Sequence, residues 1–173
     1  MIYLKHQPSA SLLPFIECFW LIDSGGDESI SEEKIIPDGY PETIWHYGDA
    51  YEINISGKWQ PQQRALLAGQ LTNHFHLRNT GVSGMIGIKW KPDALHELFG
   101  IDMSELVDNV VALPVSLSPL FDPLKDLVVG SPSEETLKLL DEYLTFLIHG
   151  SDQKSAVSEA LLTILSTKGK IDI

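Results

Sequence analysis

The punctuation of the chain changes at Trp90, and that change limits the folds open to it. Before it, turn signals recur at Gly25-Gly26, Pro37-Asp38-Gly39, Gly48-Asp49, Ser56-Gly57, Asn73, Asn79-Thr80-Gly81 and Ser83-Gly84. Glycine accepts φ > 0 and proline presets φ, so such clusters stop or reverse a chain. Between them lie short runs rich in Ile, Val, Phe, Trp and Tyr, at 15–23, 33–36, 43–47, 51–55, 65–69, 75–78 and 85–89. Short strands at that spacing predict antiparallel sheet, in a sandwich or barrel. Pro37-Asp38-Gly39 reads as a tight hairpin turn, and 23–33 as a polar, acidic, mobile surface loop.

After Trp90 the period becomes helical. KPDALHELFG places Pro92 in a first turn and Gly100 just past the end, with Ala94, Leu95, Leu98 and Phe99 on one face. A second short helix is expected over 103–109. Ser131-Pro132-Ser133-Glu134 has the form of a capping box, opening a helix in which Leu137, Leu140, Leu144 and Leu147 recur every three or four residues. Gly150 ends it. Asp152 caps another, carrying Val157, Leu161, Leu162 and Leu165 and stopping near Gly169. The expected class is α+β: an antiparallel, barrel-like front half followed by a helical half that packs on the sheet. The expected parts are a β-rich unit with its first covering helix (1–101), a helical part packing on it or dimerising (102–165), and the start of a linker (166–173).

Charge excludes one class. The chain carries 24 acidic and 12 basic residues, a net charge of −12, with no basic cluster. Nucleic-acid binders neutralise phosphates with grouped Lys and Arg, so DNA and anionic membranes should repel this chain. One cysteine, Cys18, permits no internal disulfide and fits a reducing cytoplasm. No signal peptide shows, and the apolar stretch 12–22 is interrupted by Pro14 and Glu17 and is too short to span a bilayer.

Catalytic signatures are missing. Cys18 sits beside Glu17 in an apolar run, where a thiolate is disfavoured, and reads as a small core residue. No nucleophile elbow, phosphate loop or dinucleotide fingerprint occurs. His74 and His76 would share a strand face, as in some metal sites, with His46 a third ligand only if the tertiary fold happens to bring it there; no carboxylate follows within ten residues of His76. The aromatics are more suggestive. Trp20, Trp45, Trp59 and Trp90 all lie in the front half, together with Tyr47 and Phe75. They are core, or some of them line an apolar pocket with Glu42 or His46 as its polar group. The candidate pocket is therefore Trp20, Glu42, Trp45, His46, Tyr47, Phe75 and Trp90.

Five segments in order carry a family resemblance: PSASLLPFIECFW (8–20), IPDGYPETI (36–44), AGQLT (68–72), GIKWKPDALHELFGI (87–101) and LVDNVVAL (106–113). Together they resemble the amino-terminal domain of a subgroup of AraC-type transcriptional regulators. The resemblance implies a cupin-like sensor or dimerisation domain, cytoplasmic and not an enzyme, with no cofactor. A small-molecule effector and a second copy of the chain are its implied partners. DNA would be contacted only through a separate helix-turn-helix domain, of which AVSEALLTILSTKGKIDI (156–173) is the opening. Leu137, Leu140, Leu144 and Leu147 are the expected dimer face. Two alternatives stay open: a small cupin-like metal-binding protein or enzyme using His46, His74 and His76, and a stand-alone partner-binding domain.

Overall fold

A computed structural model describes residues 1–55, 57–125 and 132–148. The second expected helix beyond Gly150, with Val157, Leu161, Leu162 and Leu165, and the stretch 166–173 lie outside the described residues.

Ten strands are present among the described residues: β1 (Ile2–His6), β2 (Ile16–Asp23), β3 (Glu32–Ile35), β4 (Glu42–His46), β5 (Glu52–Asn54), β6 (Gln60–Pro61), β7 (Ala65–Ala68), β8 (Phe75–Arg78), β9 (Gly84–Trp90) and β10 (Val110–Ala112). They form two antiparallel sheets. The first has the order β1-β2-β9-β4-β7-β10, the second β3-β8-β5-β6. The α+β class and the antiparallel front half stand. The sheets do not close into a barrel: among the described residues no ladder joins one to the other. A barrel needs every strand paired on both sides, whereas here β1, β10, β3 and β6 are edges.

Helices follow as short pieces. α1 (Ala94–Phe99) ends at Gly100, as the Pro and Gly positions predicted. The expected helix over 103–109 is a single 3-10 turn, Met103–Leu106, capped by Asp102, whose side chain accepts from the Ser104 N–H. The stretch after it, expected to be helical, instead supplies β10, then a 3-10 segment over Val115–Leu124. α2 (Glu134–Ile148) opens later than its capping signal suggested. Thr136 Oγ1 accepts from the Ser133 N–H at 3.1 Å, so the reciprocal cap bond falls on Ser133. Ser131 lies outside the described residues.

The six-stranded sheet is covered on both faces. On one side, Phe19 and Leu21 of β2, Ile86, Ile88 and Trp90 of β9, Trp45 of β4 and Leu67 of β7 pack against Leu95, Leu117, Leu120, Leu137, Leu140 and Leu144. On the other, Cys18, Trp20, Ile44, Leu66 and Met85 face the four-stranded sheet, with Tyr51 and Leu77. Successive strand residues point to opposite faces, so this division follows residue parity along each strand. The result is three layers: small sheet, large sheet, helices.

Polar contacts fix the helical layer. Asp141 on α2 is buried and accepts from the Ser9 N–H at 2.9 Å, with His6 Nε2 at 3.8 Å. Ser9 Oγ and Thr145 Oγ1 are 3.0 Å apart. Inside the same layer Trp90 donates its indole N–H to Thr43 Oγ1 at 2.9 Å.

This packing corrects the expected dimer face. Leu137, Leu140 and Leu144 are buried in the sheet-facing core, and only Leu147 is exposed, at 44%. Leu140→Ala should therefore cost about 2–5 kcal/mol in urea unfolding, at any protein concentration. Leu147→Ala should stay within about 0.5 kcal/mol of the parent. Comparable costs for the two substitutions would contradict the packing described.

Candidate functional site

A cavity of about 260 Å³ opens between the two sheets. Its floor is the inner face of the large sheet: Trp20 and Ile22, Met85, Ile44, Ala68 and Val110. Ile35, Ile53, Phe75 and Leu77 of the small sheet form its roof. Residues 36–40 close one end.

That end is the IPDGYPE stretch, and it is not a hairpin. β3 pairs with β8, and β4 pairs with β7 and β9, so residues 36–41 carry the chain from one sheet to the other. Pro37 and Gly39 shape the crossing. Gly39 has φ +83, which a side chain resists. Its carbonyl accepts from Gln70 Nε2 at 2.8 Å, and Asp38 Oδ1 takes the Tyr40 N–H at 3.3 Å. The turn thereby places Asp38 at the cavity.

Asp38 meets a lysine there. Lys89 Nζ lies 2.5 Å from Asp38 Oδ2 and 3.1 Å from Glu42 Oε1. Glu42 and Lys89 are registered neighbours on β4 and β9, in a row that runs Cys18, Lys89, Glu42, Ala68, Val110 across the inner face. The Glu42 and Lys89 side chains keep only 21% and 20% of their surface exposed. Burial raises the Glu42 carboxyl above its ordinary value, with Lys89 opposing. Burial would lower Lys89, but Glu42 and then Asp38 hold it above the usual lysine range. The ammonium is thus secure, and Glu42 is the strained partner.

Two residues along the same strands, Trp20, Gly87 and Ile44 stand in register. A Cβ on Gly87 would come within 2.1 Å of the Trp20 ring. Only glycine lets the indole lie flat across β9 and form the cavity floor. Outside the cavity, Glu17 sits at a bulge in β2 and pairs with Lys91. The Lys89 and Lys91 ammonium groups lie 5.9 and 5.6 Å from the Tyr40 ring centroid.

Of the seven residues expected to line a pocket, three do: Trp20, Glu42 and Phe75. Trp45, Tyr47 and Trp90 belong to the opposite, helix-facing core. Trp45 stacks near Tyr47 and Arg64, and Tyr47 donates its hydroxyl to Asp23 Oδ2 at 2.7 Å. Trp59 lies outside, under Arg78. His46 is fully buried beside Tyr51 but does not line the cavity. Asp38, Tyr40 and Lys89 were missed. A lysine inside the otherwise apolar strand GMIGIKW was the available signal, read only when paired with Glu42.

The three histidines do not converge. Phe75 and Leu77 point into the cavity, so His76 and Arg78 point outward by alternation. His76 Nδ1 lies 2.8 Å from Glu32 Oε1, with His74 beside it, while His46 is buried in another sheet. Among the described residues no group of three His, Cys, Asp or Glu could hold a metal ion. Cys18 is buried, and burial pushes its thiol up.

The fold and site define a class: a two-sheet antiparallel domain with a helical backing and a small cavity that ends in a half-buried charge cluster. Residues 4–112 match the family described as Domain of unknown function (DUF6597), and the chain belongs to it. The match takes in both sheets through the last residue of β10 and stops before α2. No curated protein matches the sequence. Among solved structures, the chain is similar to the AraC-like transcriptional activator CuxR, at 10% identity and a TM-score of 0.39, over 98% of this chain and 72% of that one. A likeness at that level carries no argument.

Two measurements test the site's geometry. Gly87→Ala should destabilise the protein by about 1–3 kcal/mol through overpacking and shift the emission of Trp20. An unchanged melting curve and spectrum would mean the indole lies elsewhere. His46 supplies a pH test. Burial lowers its pKa from 6.5 to about 4, with Gln62 opposing and Arg64 adding to the fall. Among the described residues neither ring nitrogen has a partner at full hydrogen-bond geometry, Gln62 being its weak polar neighbour. The folded state therefore keeps His46 neutral where the unfolded chain takes up a proton. Its contribution is complete above pH 6.5 and is lost as pH falls towards 4, a cost of up to about 3 kcal/mol. Urea titrations between those pH values should show that slope, and His46→Phe should flatten it.

Proposed function

We propose that this chain is the regulatory module of an AraC-type transcriptional regulator, sensing a small effector, acting as a homodimer in the cytoplasm, and not itself binding DNA. It is not an enzyme in this reading. The observation that carries the reading is the cavity between the sheets: apolar walls, a half-buried ion cluster at one end, and a crossing loop tied to that cluster. Such an arrangement suits a small ligand held by shape and a few placed polar groups. The ordered motifs of the sequence support the regulator assignment, because Asp38, Glu42, Gly69, Gly87 and Lys89, which build or border the cavity, all fall inside them. The net charge of −12 supports the absence of DNA contact. No helix among the described residues is long and apolar enough to cross a membrane.

The mechanism is linkage. An effector that binds one conformation better shifts the population towards it, and the helical layer passes the change to attached DNA-binding domains. Pairing of two copies uses the outward stripe of α2, where Leu139 and Phe146 are 48% and 79% exposed, with Leu147 beside them.

A thermal-shift screen with small acids, neutral molecules and amines tests the sensing half. At least one class should raise the melting temperature, and Gly87→Ala should abolish the shift. No response from any class would end the sensing reading. Sedimentation velocity tests the dimer: Phe146→Glu should convert a dimer into a folded monomer, and a parent chain that is monomeric at high concentration would remove that part. In a gel shift the chain should show no salt-sensitive DNA complex.

A further inference from the structure

We infer that the cavity between the sheets takes a small apolar cation, an amine bearing an aromatic or branched alkyl group, with Glu42 as its counter-ion. This rests on the sensing reading and goes further by fixing the ligand's charge.

Size comes first. At about 260 Å³ the cavity lies just under the roughly 300–1,000 Å³ of sites for drug-sized ligands, so the ligand is small and has one charged group at most. Charge comes next. The lining holds two carboxylates, Asp38 and Glu42, and one ammonium, Lys89. Nearby, Glu17 and Lys91 pair with each other; Lys5, registered with Trp20 and on the same face of β1 as Tyr3, is exposed and outside the lining. Within the lining the carboxylates outnumber the ammonium by one, with Asp38 half exposed and Glu42 and Lys89 largely covered. An anion would enter against that excess and would find Lys89 already held by both carboxylates, at 2.5 and 3.1 Å. A cation meets the opposite situation. A carboxylate has about four lone-pair sites, so Glu42 can accept from a ligand ammonium while keeping Lys89. Burial makes that added partner worth more than it would be in water.

The walls agree. Tyr3, Trp20, Tyr40 and Phe75 all line the cavity. Aromatic faces carry negative quadrupole charge and attract cations that have left water. Trp20 is the largest of these surfaces, and Gly87 is what keeps it flat. The charged end and the aromatic floor are adjacent rows of one sheet, since Lys89 and Glu42 are registered two residues from Gly87 and Ile44. A ligand a few ångströms long reaches both.

Isothermal titration calorimetry on the 173-residue chain, with three probes of one skeleton, tests this. The probes are 2-phenylethylammonium, 2-phenylethanol and 3-phenylpropanoate. The cation should bind roughly tenfold or more tighter than the alcohol, as expected for a charge-assisted hydrogen bond, and the carboxylate should bind weakest. Glu42→Gln should erase the advantage of the cation and leave the alcohol unchanged. Lys89→Met should raise affinity for the cation, because it leaves two carboxylates unopposed; simple loss of the cavity would weaken every probe. Thermal melting of each variant shows which are folded, and Asp38→Asn, with a smaller loss expected, replaces any that is not.

Tighter binding of the carboxylate, lost in Lys89→Met, would overturn the cation and leave the sensing reading standing. Equal affinities for all three would show that the charge cluster takes no part and would overturn it as well. Binding of none overturns the inference, and the wider thermal-shift screen then decides the sensing reading separately.

Discussion

Because the six-stranded sheet is covered on both faces, a charge on its central strands has little water to turn to and needs a partner inside the protein. An unpaired buried charge is among the most costly features a fold can carry. β9 nevertheless carries Lys89 and β4 carries Glu42, side by side and facing the small sheet. Those two residues can be there only because they are opposite in charge, in register, and joined by Asp38 from the crossing loop. Much else follows. The crossing loop passes that point, and the space between the sheets beside it is the cavity.

The helical layer answers the other half of the same constraint. With the small sheet on one face, the apolar side chains of β2, β9 and β4 on the other need a cover, and α2 with the 3-10 segment supplies it. Asp141 shows the rule again on a smaller scale: it is buried, and it accepts from the Ser9 backbone at the β1–β2 connection. The cavity at one face and the helix packing at the other are therefore features of a single sheet. A change at its inner face is felt within one layer of the helices.

How much of this the sequence shows depends on whether the signal is local. Seven strands are legible to within about a residue, because turn residues bound them on both sides. β6 is not, since Pro61 argues against a strand and is tolerated there only at a sheet edge. β10 is not, because its reason to be extended is a ladder to β7, some forty residues earlier. The site is half legible for the same reason. Trp20, Glu42 and Phe75 follow from aromatic and acidic residues on predicted strands. Trp45 and Trp90 look equally suited, and only their parity assigns them to the helix side. In a sheet with one wet face, alternation of polar and apolar residues would have declared that parity. Here both faces are covered and mostly apolar, and the pattern is nearly silent. His74 and His76 mislead because spacing on one strand says nothing about which side of a second sheet they face.

That silence gives the ion cluster a second consequence, for folding specificity. Strands that are apolar on both faces can slide past each other with little hydrophobic penalty, since a one-residue slip exchanges one greasy surface for another. β9 has no such freedom. A slip of one residue would send Lys89 into the helix-side core where Trp90 now bonds Thr43, and would leave Glu42 and Asp38 without their cation. It would also move Gly87 from beneath Trp20, so that a side chain would press on the indole. A lysine and a glycine two residues apart thus discriminate the correct strand pairing from its nearest competitors, a task that elsewhere falls to the boundary between oil and water.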